Sequence, residues 1–302
     1  MRPQPMRVLV AGASGMIGTE LVRALRAEGH VALRLVRREP AAADERAWAP
    51  SARSIDLRLL DDADAVVNLS GASLNRLPWT AAHKRRILDS RLAATGTLAD
   101  GMRQAANPPG VLISGAAVGY YGDRPGQTLT EDSTKGTGFL SDVVEAWETA
   151  AHLAPTTTRV VTLRTGVVVG PGGAMTPLLR LAKAGLLGPI AGGRQHWPWV
   201  SLHDEAAAIV HLLTSGLSGP VDLVGPQPAT AGEVLRALAK AVHRPYGLPL
   251  PRPVVTLGLG EAGRELLLAD QRVLPQRLLD DGFVFRDATV QEAMARLVER
   301  AA

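Results

Sequence analysis

The stretch MRVLVAGASGMIGTELVRALRAEGHVALRLVRREP, residues 6–40, decides how this chain folds. Met6–Ala11 is an apolar, β-rich run, and Gly12-Ala13-Ser14-Gly15-Met16-Ile17-Gly18 follows it at once as G-x-x-G-x-x-G. Leu21, Val22 and Leu25 then share one stripe of a helix over Gly18–Ala27, and Val31–Val36 reads as a second strand ending in Arg37 and Arg38. Gly12 allows the tight turn, Gly15 lets the backbone approach a pyrophosphate, and Gly18 permits close packing of helix on strand. Ser14, Gly15, Met16 and Ile17 stand where the opening helix offers free N–H groups to an anion. A tight turn that binds nothing is the alternative, but strand, helix and second strand are all in place, which favours a nucleotide site.

The end of the second strand chooses the nucleotide. A carboxylate there accepts hydrogen bonds from the ribose of NAD, whereas Arg37 and Arg38 suit a 2′-phosphate. NADP(H) is therefore the expected cofactor. The other reading is that both arginines decorate an exposed loop.

Outward from this unit, apolar runs recur at Ala65–Leu69, Val111–Ser114, Val160–Arg164 and Val221–Val224. They are continuous rather than alternating, as in strands of a parallel sheet covered on both faces. A long helix is expected over Ala81–Gln104, with Leu88, Leu92, Thr95, Leu98 and Met102 at helical spacing and Thr80 as its N-cap. Alternating strands and helices predict an α/β fold, a Rossmann-type doubly wound parallel sheet. After about Gly225 the pattern turns helical, with capping boxes at Thr230/Glu233 and Thr289/Glu292 around a proline-rich connector, PYGLPLPRPVV. Residues 1–170 are expected to form the NADP-binding domain, its sheet completed by a strand near 220–225. Residues 171–302 are expected to be mostly a substrate-side and C-terminal helical lobe.

Composition sets limits. The 302 residues are 46% hydrophobic, ample for a sizeable core, and the absence of cysteine rules out disulfides and thiolate chemistry. The first strand begins too early for a signal peptide, and no apolar run approaches the roughly 18 residues of a membrane span, so a cytoplasmic protein without membrane contact is expected. With a net charge of +4, scattered basic residues and 4% aromatics, nucleic-acid binding is not expected. His203 and His211 lie alone, so no metal site is expected.

Further motifs carry a family resemblance. VVNLSGA (66–72), LISGAAVGYYG (112–122), LTEDS (129–133) and LRTGVVVGPGG (163–173) follow in order. With the glycine turn, they resemble the extended short-chain dehydrogenases/reductases, the NAD-dependent epimerase/dehydratase superfamily. The combination of NLSGA, Ser90-Arg91, GYYG, FLSDVVEAWE and RLLDDGFVF is similar to one branch usually labelled epimerase family protein, with its own small C-terminal domain. The resemblance implies that Leu69 and Gly71 line the cofactor cleft and that Thr165 and Val167 lie beside the nicotinamide. It also implies a small-molecule substrate; a homodimer through two helices of the cofactor domain would fit the superfamily.

The departures are informative. Superfamily enzymes use a tyrosine four residues before a lysine, but the corresponding place reads Phe139 and Val143, and no Tyr-x-x-x-Lys occurs in the sequence. Ala116 falls in the usual serine slot; Ser114, two residues earlier on a strand, could face the same side. The remaining proton-exchanging candidates are Tyr121, Ser114 and Lys84, with Tyr120 and Glu131 nearby. Tyr121 could equally be a packed tyrosine with a satisfied hydroxyl, Lys84 an exposed lysine, and Glu131 an anchor for its loop. The resemblance places Trp199 and Asp204 at the mouth of a substrate pocket, with His203 and Ser201 departing from it; Asp204 also suits a helix N-cap. Three functions follow: an NADP(H)-dependent oxidoreductase or epimerase with an atypical proton donor, a cofactor-binding sensor without turnover, or an ordinary family enzyme whose catalytic pair lies elsewhere.

Overall fold

The computed structural model describes residues 4–299. In chain order the first half comprises β1 (Arg7–Ala11), α1 (Met16–Ala27), β2 (Val31–Val36), β3 (Glu45–Ala49), β4 (Ser54–Ile55), α2 (Leu57–Asp61), β5 (Ala65–Asn68), α3 (Ala81–Gln104), β6 (Val111–Ala117), β7 (Thr128–Leu129) and α4 (Phe139–Ala151). The second half comprises β8 (Arg159–Thr165), β9 (Val167–Val169), α5 (Met175–Lys183), β10 (Trp199–Ser201), α6 (Leu202–Thr214), β11 (Gly219–Leu223), α7 (Ala231–Ala241), α8 (Arg252–Gly263), β12 (Arg272–Val273), α9 (Gln276–Asp280) and α10 (Val290–Glu299).

Among the described residues eight strands form one sheet in the order β11-β8-β6-β5-β1-β2-β3-β4, parallel except for the short β3–β4 pair. This is the Rossmann-type doubly wound arrangement, and every strand expected from an apolar run is present. Two-sided burial explains those runs. Val8, Val10, Ala65, Val67 and Ile113 face α1 and α6, while Leu9, Ala11, Val66 and Leu112 face α3. A third cluster, around Trp197, Trp199, Leu235, Leu238 and Met294, is the core of the helical C-terminal region.

Local signals hold where they are self-contained. Thr80 Oγ1 accepts from His83 N and starts α3, and the Thr230/Glu233 capping box opens α7. Asp204 is a correction: Ser201 caps α6 by accepting from Asp204 N. The buried Asp204 carboxylate instead accepts from the backbone N–H groups of Arg286 and Asp287 and ties a later loop to α6. The alanine-rich stretch near residues 41–52 concealed β3, which lies beside β2 with Arg34 opposite Glu45 and Val36 opposite Ala47. Its weak β composition suits a strand near the sheet edge. Within α8, Gly260 has φ 57° and ψ −130°, a conformation open essentially to glycine, and the chain bends there. Among the described residues no helix is long and apolar enough to cross a membrane.

Candidate functional site

The turn from β1 into α1 is a cradle that admits no side chains. A Cβ on Gly12 (φ 81°) would lie 2.7 Å from the Leu69 carbonyl, and one on Gly18 would lie 2.3 Å from the Gly12 oxygen. The α1 N-terminus has no side-chain cap and no acid in its first turn, so its amides and dipole are available to an anion. Ser14 and Gly15 are exposed; Met16 and Ile17 pack their side chains against Val168, Val200 and Leu202, leaving their backbone for the site. The cradle fits a dinucleotide pyrophosphate.

At the end of β2 the two arginines part company. Arg38 is held by Glu45 of β3 at 2.7 and 2.8 Å. Arg37 is exposed and has no hydrogen-bond or ion-pair partner among the described residues. Of the two guanidiniums, that of Arg37 is thus the one without an internal counter-charge among the described residues. Gly71 lies against Arg91 of α3, a Cβ there approaching Arg91 Cζ to 3.2 Å. Arg91 donates to the carbonyls of Ala72 (3.1 Å) and Ile87 (3.0 Å) and lies over the Trp147 ring. Burial lowers its guanidinium to about 10, still charged at neutral pH.

Thr165 ends β8 and Val167 begins β9. Thr165 Oγ1 donates to Glu205 Oε1 at 2.9 Å, and the Val167 N–H donates to the Pro198 carbonyl at 2.7 Å. Glu205 is wholly buried with Oε2 unpartnered, and burial raises its carboxyl to about 8. Sequence reasoning passed over Glu205 and used Arg91 only as part of a family motif, although both stand on otherwise apolar stripes. Glu205 follows Leu202 by three residues and Arg91 follows Leu88 by three, which is a legible anomaly.

Tyr121 is buried, and its hydroxyl is engaged by other side chains. Its ring is fully buried and its hydroxyl donates to the Asp222 carboxylate (2.8 and 2.9 Å) while accepting from Arg164 (3.1 Å). Burial, reinforced by Asp222, pushes the phenol far above its usual range. Arg164 is also held by Glu148 at 2.8 and 2.9 Å, and Glu131 accepts from the N–H groups of Asp222 and Arg277, so Glu131 anchors its loop. Burial, and then Glu131, raise the Asp222 carboxyl well above the normal range. Ser114 is likewise fully buried, and among the described residues its hydroxyl meets only the Gly115 carbonyl, at 3.3 Å. Trp199, expected at a pocket mouth, is buried and donates to the Gln227 carbonyl.

Lys84 does have a use for its charge. Its ammonium donates to both Glu261 oxygens at 2.9 and 2.7 Å and sits 4.3 Å from the Phe139 ring centroid. Trp79 packs edge-on to the same ring. That ion pair spans α3 and α8, and Glu265, four residues on, caps α4 by accepting from Phe139 N (2.9 Å) and Leu140 N (2.8 Å).

Comparison with known proteins places this geometry. The family model described as NAD dependent epimerase/dehydratase family matches residues 8–225. This chain belongs to the NAD dependent epimerase/dehydratase family. A second model, a domain of unknown function (DUF1731), matches residues 250–297. Epimerase family protein Mb2239 of Mycobacterium bovis is 41% identical over 296 residues, 97% of this chain and 98% of that protein. The crystal structure of human epimerase family protein SDR39U1 (isoform 2) with NADPH superposes with a TM-score of 0.90 at 34% identity, covering 97% of this chain and 99% of the human one. A nucleoside-diphosphate sugar epimerase from Corynebacterium glutamicum superposes with a TM-score of 0.79 at 29% identity, covering 98% of this chain and 58% of that one. Within the epimerase/dehydratase frame, β1, which leads into the glycine cradle, β5 and β8 are strands of one parallel sheet, and Tyr121 and Ser114 are fully buried.

Proposed function

We propose that this chain binds NADP(H) in the glycine cradle and acts on a small or sugar-like substrate as an oxidoreductase or epimerase whose proton donor is not a Tyr–Lys pair. The observation that carries the reading is Arg37, an unpaired guanidinium at the end of β2 beside a cradle with no room for side chains. The human relative solved with NADPH supports it. In this reading the amides of Ser14, Met16 and Ile17 receive the pyrophosphate, Gly15, whose N–H donates to the Gly12 carbonyl at 3.0 Å, keeps the approach free of a side chain, Gly12 and Gly18 hold the turn, and Arg37, with Arg38 behind it, receives the 2′-phosphate. Leu69 and Gly71 form one wall, and Arg91 adds a fixed positive charge behind it. Thr165, held by Glu205, and Val167 fix the opposite wall, while residues 171–302 supply most of the substrate side. NADP(H), when bound, supplies or accepts a hydride.

A sensor that reports the NADPH/NADP⁺ state without turnover is the second reading. It is favoured by the occupation of the acid–base candidates: Tyr121 by Asp222, Lys84 by Glu261, Ser114 by its own strand. Calorimetry with NADPH and NADH tests the cofactor. Arg37→Ala is expected to weaken NADPH binding by about tenfold to a hundredfold, the worth of charge-assisted hydrogen bonds, and to leave NADH unchanged. Equal affinity of the parent protein for both dinucleotides overturns the assignment. NADPH oxidation over a panel of carbonyl compounds then separates the two readings, since tight binding without turnover of any compound selects the sensor.

A further inference from the structure

A second charged feature lies outside the dinucleotide cradle. A cavity of about 210 Å³ opens between the segment after β6, the start of α4 and the C-terminal helices. Arg252 and Arg264 line it, and neither side chain has a hydrogen-bond or ion-pair partner among the described residues. In an unbroken helix their twelve-residue separation would hold them about 18 Å apart. The bend at Gly260 removes that separation by folding Gly263 back onto Val255, whose carbonyl would lie 2.8 Å from a Cβ at position 263. Both arginines thereby line the same cavity.

The acids in the same cavity are already engaged. Glu265 accepts from the amides of Phe139 and Leu140, and Asp123 accepts from the amide of Asp270 at 2.8 Å. Each acid holds backbone instead of a guanidinium, so the arginines are the charges left without a counterpart. Unpaired guanidiniums facing a concave wall suit an oxyanion, which they bind through paired N–H donors. Size narrows the ligand further. Typical small-molecule sites enclose about 300–1,000 Å³, so this cavity is smaller than the usual site.

We propose that Arg252 and Arg264 form an anion subsite for the substrate, and that the substrate is a small acid bearing a carboxylate or phosphate rather than a nucleotide sugar. The proposal rests on the reading of the chain as an NADP(H)-dependent enzyme, because it places the anion beside Leu140 and Thr137, at the start of α4, where the resemblance puts the missing Tyr–Lys pair.

Calorimetric titration of the full chain with malonate, inorganic phosphate and UDP-glucose, each with and without saturating NADPH, tests it. Malonate or phosphate is expected to bind, which of the two being the substrate's headgroup chemistry, and UDP-glucose to bind more weakly than either. Arg252→Gln and Arg264→Gln, both on exposed residues, are each expected to weaken the acid about tenfold, and the double variant more, with NADPH affinity unchanged. Equal acid binding by the double variant, no binding of either acid, or tighter binding of UDP-glucose overturns the subsite. If NADPH fails to bind while malonate or phosphate still binds through the arginines, the cofactor reading falls and the anion subsite stands.

Discussion

At the scale of single residues, Tyr121 separates chemistry from packing. Its hydroxyl joins Asp222 to Arg164 in a sealed cluster, so deleting it leaves a buried carboxyl short of a partner. Tyr121→Phe is expected to cost about 1–3 kcal/mol in denaturant unfolding and to leave NADPH affinity unchanged. Lost turnover at undiminished stability would restore the phenol as a catalytic group. Glu205 makes the complementary case. Its carboxyl is raised to about 8 when folded and titrates near 4.5 when unfolded, so the folded state holds the extra proton between those values. The contribution is full below about 4.5 and is lost as pH rises toward 8. Thermal unfolding of the parent protein should therefore fall more steeply from pH 5 to 8 than that of Glu205→Gln, which keeps the bond to Thr165 without the titration. Parallel profiles would remove Glu205 as the titrating group.

At the scale of elements, the β1–α1 unit was readable because its requirements are local. Strand, glycine spacing and amphipathic helix all lie within residues 6–27, and Gly12 and Gly18 are demanded by nearby backbone atoms. Gly18→Ala places a methyl 2.3 Å from the Gly12 oxygen and 2.7 Å from Ala13 Cα. Backbone cannot swing aside as a side chain can, so the helix must lift off the strand. The expected result is a stability loss of about 2 kcal/mol or more, together with weakened NADPH binding. Gly216→Ala, with open space around it, is the control, and equal behaviour of the two variants would refute the packing role. The β3 element was not readable, because an alanine-rich strand with alternating charge looks like a loop until β2 is there to pair with it.

At the scale of the whole molecule, Lys84 and Glu261 join α3 of the sheet domain to α8 of the C-terminal region across 177 positions in sequence. Both side chains are partly exposed, at 28% and 34%, so the pair is a modest tie rather than a strong one. A double-mutant cycle with Lys84→Met and Glu261→Gln should give a coupling of about 0.5–1 kcal/mol that shrinks as salt rises. A coupling near zero at low salt would mean that this ion pair adds nothing to the hold between the two regions, leaving it to the other hydrogen bonds, such as Glu265 to the α4 amides, and to apolar contact. The same C-terminal segment sends Arg264 into the cavity and Glu265 to the α4 amides, so one bend at Gly260 serves several contacts at once.

The sequence by itself determined the parallel sheet, the glycine cradle and the arginine pair at the end of β2, because those features depend on neighbours within a few residues and on burial of continuous apolar runs. Only the tertiary structure decided which groups are free. Glu45 claims Arg38 and leaves Arg37, Asp222 claims Tyr121 from 101 residues away, and the bend in α8 brings Arg252 and Arg264 to the same cavity. An ionisable side chain's role depends on what it faces across the fold, and residue order along the chain does not fix that.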